Sequence, residues 1–272
     1  MNRLTVYHVV AMAPSYTLTV RSTLRRWWSE GLARDGFRPT ARNFAHHLWE
    51  FLRESTPAQR RQRYGDADYD WDYRVDTTSA TVSWRDRLLG QFHSAYQPTE
   101  PAFFREMMEM MASLEIDFQA FTFIDVGAGK GRVLLMAADY PFRRVLGLEL
   151  LPDLHRVAQA NIRAYKSDSQ RSFAVEAVIA DAREFVFPAE PIVLYLFNSL
   201  PEAALIEMTA NLEHSLSENP RVVYVLYHNP LLEHVLAKRP AFQKIGGSHQ
   251  YSVFRTARRL EADPAHGGGA GK

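Results

Sequence analysis

Five residues constrain this chain more than any others: Gly127-Ala128-Gly129-Lys130-Gly131. Three glycines in five positions let a backbone turn sharply and approach a ligand without Cβ clashes. The run before them, Phe121-Thr122-Phe123-Ile124-Asp125-Val126, is short, apolar and rich in β-branched and aromatic side chains, which predicts a buried strand. The run after them, Arg132-Val133-Leu134-Leu135-Met136-Ala137-Ala138, consists mostly of good helix formers. A second apolar strand, Val145-Leu146-Gly147-Leu148, ends at Glu149. Pro152 and Asp153 open another helix, with Leu154, Val157, Ala158 and Ile162 on one face. Strand, glycine turn, helix, strand, acid and helix in that order form the first half of a nucleotide-binding α/β unit.

The chemistry of such a unit needs these residue types. The helix after the turn directs N–H groups and a positive dipole end at the ligand. An acid at the tip of the second strand accepts hydrogen bonds from ribose hydroxyls, and Glu149 lies 20 residues beyond Gly129, the offset that role requires. A P-loop is excluded: Gly131 follows Lys130 where serine or threonine is needed, and Ile124 stands where the first glycine belongs. A dinucleotide fingerprint is matched at Gly127 and Gly129 but carries Arg132 at its third glycine. What remains, Asp125-Val126-Gly127-Ala128-Gly129-Lys130-Gly131-Arg132 with Glu149, resembles motifs I and II of the class I S-adenosylmethionine (SAM) methyltransferases, whose acid-x-Gly-x-Gly-x-Gly pattern it fills. The resemblance implies SAM as cofactor, held by Asp125, Gly127, Ala128, Gly129, Gly131, Glu149 and Leu150.

The same resemblance extends downstream. Phe173-Ala174-Val175-Glu176-Ala177-Val178-Ile179-Ala180 reads as a third strand ending in Asp181-Ala182. In the family an acid there bonds the adenine amino group and the next backbone N–H meets a ring nitrogen, which assigns Asp181 and Ala182 to the cofactor. Ile192-Val193-Leu194-Tyr195-Leu196-Phe197 reads as a central parallel strand, ending at Asn198-Ser199-Leu200-Pro201. Asn198 thus stands at the carboxyl edge where ligands of open α/β sheets lie. The family's amino-group methylases often carry Asn/Asp-Pro-Pro-aromatic at this place. Only the Asn is kept, so N-methylation is a partial match. Tyr96-Gln97-Pro98, before a helix opened by Pro101 with Thr99 as a candidate cap, partly resembles the Tyr-Glu-Pro-like loop that lies over SAM in non-SET histone-lysine methyltransferases. Asn198 and Tyr96 are therefore the expected catalytic pair on the acceptor side.

Later segments complete the domain. Glu202 opens a helix with Leu205, Met208, Leu212 and Leu216 in step, and Arg221-Val222-Val223-Tyr224-Val225-Leu226-Tyr227 reads as a fifth strand. His228 at its end is either a general base or a locally bonded histidine. Residues 242–245 and 251–255 read as a terminal hairpin, as in the seven-stranded methyltransferase sheet. The expected architecture is an α/β three-layer Rossmann-like methyltransferase sheet of about seven mostly parallel strands with an N-terminal helical extension. The expected boundaries are 1–114 for the extension, 115–258 for the SAM-binding domain and 259–272 for a flexible tail.

In the extension, Leu24, Trp27, Trp28 and Leu32 and then Phe44, Leu48, Phe51 and Leu52 repeat at helical spacing. The tryptophans serve either as a docking face or as packing on their own domain. Segment 66–76 alternates aspartate and aromatic residues at Asp68, Tyr69, Asp70, Trp71, Asp72 and Tyr73. It reads as a two-faced strand or as a loop anchored by its aromatics, there to cover the cofactor, to attract a cation or only to be solvated.

Composition removes several classes. The chain has no cysteine, so it has no disulfide, thiolate metal site or cysteine nucleophile, and its ten histidines show no metal spacing. A net charge of +1 weighs against nucleic acid as the partner. No apolar run reaches membrane-helix length, and the stretch from Leu4 to Ala13 is a poor signal peptide because Tyr7 and His8 interrupt it. A cytoplasmic protein without membrane or metal partners is expected. It would transfer a methyl group to an unidentified acceptor, a protein lysine or other amine or a small molecule. The alternatives are a non-catalytic SAM-binding regulator and a nicotinamide oxidoreductase, the latter opposed by Arg132 and by the lack of a hydride-transfer dyad.

Overall fold

A computed structural model describes residues 20–54, 67–78 and 97–257. Tyr96, the stretch from Leu4 to Ala13 and the 259–272 tail lie outside the described residues. Three N-terminal helices come first: α1 (Val20–Asp35), α2 (Phe37–Glu54) and α3 (Ala67–Tyr73). Then follow α4 (Pro101–Ser113), β1 (Thr122–Val126), α5 (Arg132–Ala138), β2 (Arg144–Glu149), α6 (Pro152–Ala164) and β3 (Val175–Ile179). The rest is β4 (Ile192–Phe197), α7 (Glu202–Glu218), β5 (Val223–His228), α8 (Glu233–Ala237), β6 (Phe242–Gly247) and β7 (Tyr251–Thr256).

One seven-stranded sheet runs in the order β3-β2-β1-β4-β5-β7-β6. β1 to β5 are parallel, and β7 is antiparallel to both of its neighbours. Strand alternation sorts the apolar side chains into two cores, because successive side chains point to opposite faces. Phe123, Val145, Val193, Tyr195 and Leu226 face α4 and α5, which contribute Phe104, Met107, Met108, Met111 and Leu134. Ile124, Leu146, Leu194, Val223 and Val225 face α7, which contributes Leu205, Met208 and Leu212. The result is helix, sheet and helix in three layers. The chain reverses its winding between β1 and β4, so a crevice opens there at the carboxyl ends of the strands.

Two details depart from the sequence reading, and a third decides between its alternatives. Segment 67–73 is a helix, neither strand nor loop. Tyr69 and Tyr73, four residues apart, share its inner face with tilted rings 4.7 Å apart, while Trp71 is 85% exposed. Thr99 does not cap α4; Glu100 occupies the cap position with no side-chain bond, and Pro101 opens the helix as expected. The α1 tryptophans pack on α2: Trp28 meets Phe44 edge-on at 5.7 Å and Trp27 meets the same ring at 6.0 Å.

Candidate cofactor and methyl-transfer site

The β1–α5 turn is built by its own backbone. Gly127, Gly129 and Gly131 all have positive φ, at 78°, 55° and 84°. The N–H groups of Gly127 and Ala128 donate to Leu148 O at 2.8 and 3.0 Å, and Gly131 N–H donates to Ala128 O at 2.8 Å. Glu149, 6% exposed, braces the turn from the tip of β2: its Oε2 accepts from Gly129 N–H at 2.7 Å and its Oε1 accepts from Leu151 N–H at 2.7 Å. The glycine turn and the spaced acid, read from sequence as separate signals, are one hydrogen-bonded unit.

A cavity of ≈ 280 Å³ lies over this unit. Asp125, Gly127, Ala128, Gly129, Glu149, Leu150, Asp181 and Ala182 all line it, together with Tyr195, Phe197 and Ser199 from the β4 edge. α1 adds Trp27, Glu30 and Arg34, and Gln97, Pro98 and Thr99 form part of the wall. Gly131 is not among the lining residues; it is the N-cap of α5. Gly127 faces Ser199: a Cβ at Gly127 would stand 2.3 Å from the Ser199 Cβ. The crevice is thus as narrow as a glycine permits at the point where β1 and β4 diverge.

Charge in the cavity is set by burial. Asp125 is 3% exposed, and desolvation, reinforced by Glu149, holds its carboxyl well above the usual carboxylate range. Asp181 is bound by Arg183: its Oδ1 accepts from Arg183 N–H at 3.0 Å and from Nε at 2.8 Å, and its Oδ2 pairs with the same guanidinium. Burial pushes the Asp181 carboxyl up while that fork favours its ionised form. Arg183 thereby orients the Asp181 carboxylate at the cavity wall.

Asn198 has left-handed φ of 45° and its Oδ1 accepts from the Tyr227 hydroxyl at 3.4 Å. Phe197 and Ser199 on either side line the cavity, but Asn198 is not among its lining residues. Sequence reasoning passed over Tyr195. Its hydroxyl meets Thr99 Oγ1 at 2.8 Å and His228 Nδ1 at 2.9 Å, and all three groups are buried. The signal was the pairing of β4 with β5, which no local pattern reveals. Ser199 was also missed; its hydroxyl is buried without a hydrogen-bond partner among the described residues. Among those residues no group of three or more His, Cys, Asp or Glu side chains is placed to hold a metal ion, and no helix is long and apolar enough to cross a membrane.

His228 stacks on Phe197 at 4.1 Å, and burial pushes its pKa from 6.5 down to about 4. It is therefore neutral at pH 7, which suits a hydrogen-bond partner of Tyr195 better than a base that must hold a proton. The sign of the linkage follows. Unfolded chains protonate this histidine below about 6.5, whereas the folded state resists until about 4. Its contribution is complete above the first value and lost as pH falls through the second. Between pH 7 and 4.5 wild type should lose roughly 2–3 kcal/mol more stability than His228→Asn. Urea unfolding at both pH values checks this. Equal losses in the two proteins would place His228 in a solvated site.

The sheet order and the braced glycine turn together define a Rossmann-like methyltransferase fold. No protein-family model and no curated protein sequence matches the chain. Among solved structures, an RNA methyltransferase from Salinibacter ruber in complex with S-adenosyl-L-homocysteine is 20% identical, over 61% of this chain and 95% of that one, with a TM-score of 0.38. A ribosomal protein L11 methylase from Lactobacillus delbrueckii subsp. bulgaricus is 17% identical over 56% and 77%, with a TM-score of 0.40. A magnesium protoporphyrin IX methyltransferase from Synechocystis with bound SAM is 14% identical over 74% and 90%, with a TM-score of 0.41. At these identities and scores no acceptor passes from those proteins to this chain.

Proposed function

We propose that this protein is a SAM-dependent methyltransferase. One observation carries the reading: Glu149 and the glycine turn are joined at the wall of the cavity over the β1/β4 crevice, which puts an acid of the second strand's tip beside the turn where a ribose would lie. The residues fit the cofactor. Gly127 lets the turn pack against Ser199 where a Cβ would clash, Glu149 and Leu150 border the ribose place in this reading, and Asp181 and Ala182 border the adenine place. Asp125 sits beneath the turn, toward the amino-acid end. SAM supplies an activated methyl group on a sulfonium sulfur.

The chain's own residues do the rest. Phe197 and Trp27 line the cavity and are the aromatic rings available to a cation there. Tyr195, fixed between Thr99 and His228, holds the floor of that end in one orientation. Holding donor and acceptor in line is the main contribution expected of such a site. Tyr96 and Asn198 belong to the acceptor side in this reading, Asn198 through the Tyr227 hydroxyl rather than from the cavity wall. The acceptor is an uncharged nucleophile, with an amine of a protein or small molecule the class to test first; RNA is the second class, and the protein is placed in the cytoplasm.

Calorimetry with S-adenosylhomocysteine tests the cofactor, and a methyl-label screen of proteins, small amines and RNA tests the transfer. Binding in the range below about 0.1 mM with label in one acceptor class is expected. Absence of binding would remove the cofactor. Binding without label in any class would favour a regulator that only senses SAM.

A further inference from the structure

We propose that Thr77, oriented by Asp70, is a positioning residue of the cofactor turn, and that occupancy of the cofactor cavity is coupled to the fold of segment 67–78. The inference rests on the cofactor reading above.

The turn carries two buried cations. The side chains of Lys130 and Arg132 are 1% and 2% exposed. A cation so deeply buried must be paired and hydrogen-bonded, because an unpaired one is strongly destabilising. Segment 67–78 supplies partners to both. Lys130 Nζ donates to Asp76 Oδ1 and to Thr78 O, each at 2.8 Å. Arg132 Nε donates to Thr77 Oγ1 at 2.6 Å, and its guanidinium lies 4.9 Å from the centre of the Tyr69 ring. Lys130 points away from the cavity, whereas Arg132 lines it.

Asp70 gives this arrangement its direction. Its Oδ2 accepts from the N–H groups of Thr77 at 2.7 Å and Thr78 at 2.9 Å. Its Oδ1 accepts the Thr77 hydroxyl proton and lies 3.4 Å from the Arg132 guanidinium. With its proton committed to Asp70, the Thr77 oxygen presents a lone pair to Arg132 Nε. Asn161 ties the backbones together. Its Oδ1 accepts from Asp76 N–H at 2.9 Å, and its Nδ2 donates to Asp76 O at 2.8 Å and Lys130 O at 2.9 Å. A chain of bonds therefore runs from Asp70 through Thr77 to a residue of the cavity wall. The coupling is reciprocal: the factor by which a bound ligand favours the folded segment is the factor by which the folded segment favours the ligand.

Two measurements test the proposal. Thr77→Val keeps the shape and the backbone N–H but removes the hydroxyl, and Thr77→Ser restores it. S-Adenosylhomocysteine should bind Thr77→Val about tenfold more weakly than wild type and Thr77→Ser within about threefold of it. In unaltered protein, saturating S-adenosylhomocysteine should slow hydrogen exchange at the amides of Thr77 and Thr78. That second result requires no variant to fold. A Thr77→Val that melts earlier yet binds like wild type would make the segment merely structural and overturn the proposal. So would exchange at Thr77 and Thr78 that ignores the ligand. If wild type itself fails to bind, the cofactor reading falls first and takes the coupling with it.

Discussion

Glu149→Ala is expected to bind S-adenosylhomocysteine at least tenfold more weakly than wild type, and to unfold at lower denaturant. Two effects combine. A carboxylate that bonds ribose hydroxyls contributes roughly 1.5–3 kcal/mol for each charge-assisted bond. The same side chain accepts from Gly129 and Leu151 N–H, so its removal leaves two buried donors without partners. Each such donor costs about 1–3 kcal/mol. Glu149→Gln separates the two effects only in part, since one oxygen becomes an NH2 group that faces a backbone N–H. Affinity unchanged in both variants, measured by calorimetry, would detach the acid from the cofactor. Affinity lost with stability unchanged would mean that the brace is weaker than its geometry.

Gly127→Ala should be the more damaging glycine substitution by a wide margin. Gly127 and Gly36 have nearly equal φ, 78° and 79°. Alanine at either place meets the same backbone cost, about 1–2 kcal/mol. Their surroundings differ: nothing lies within 4 Å of a Cβ at Gly36, whereas at Gly127 the Ser199 Cβ would be 2.3 Å away. The turn or the β4 edge must move, and both form the cavity. Gly36→Ala should therefore lose only the backbone amount and keep ligand binding. Gly127→Ala should lose several times as much affinity as any backbone effect explains. A Gly127→Ala/Ser199→Gly double variant should recover a large part of it. No recovery would show that the crowding with Ser199 is not what limits this position.

The fold was legible because its strongest signals are local. A glycine turn, its flanking strand and the acid twenty residues on lie within one short stretch, and the structure joins them through Gly129 and Glu149. The terminal hairpin was read from two short runs and is present as β6 and β7. Segment 66–76 was misread because residue type alternates there while burial does not. Tyr69 and Tyr73 point inward at helical spacing and Trp71 points out, so an aromatic at every second position suggested a period that packing does not follow. What fixes this helix and the bend after it is tertiary: Asp70 bonding Thr77 and Thr78, and cations from a turn more than fifty residues away. The Thr99–Tyr195–His228 contact was invisible for the same reason. It needs β4 and β5 in register, with Phe197 opposite His228, and α4 laid across them. Asn198 was chosen because strand ends carry ligands; its left-handed φ and its 3.4 Å contact with the Tyr227 hydroxyl are features of the backbone and of β5 that no strand-end rule supplies.

The place of β7 governs how the sheet can be assembled. β7 follows β6 in sequence but lies between β5 and β6 in space. During synthesis β6 emerges with no strand to pair with, and β5 keeps an open edge until Tyr251–Thr256 has left the ribosome. An unpaired edge of a growing parallel sheet is a template for wrong partners. Closing the sheet therefore places an interior strand, β7, between β5 and a β6 that pairs only with it. Val253 and Phe254, both fully buried, make that step a sealing of the core. A nascent chain that has not yet released Tyr251 would hold the cofactor turn beside an open β5 edge, an aggregation-prone flank.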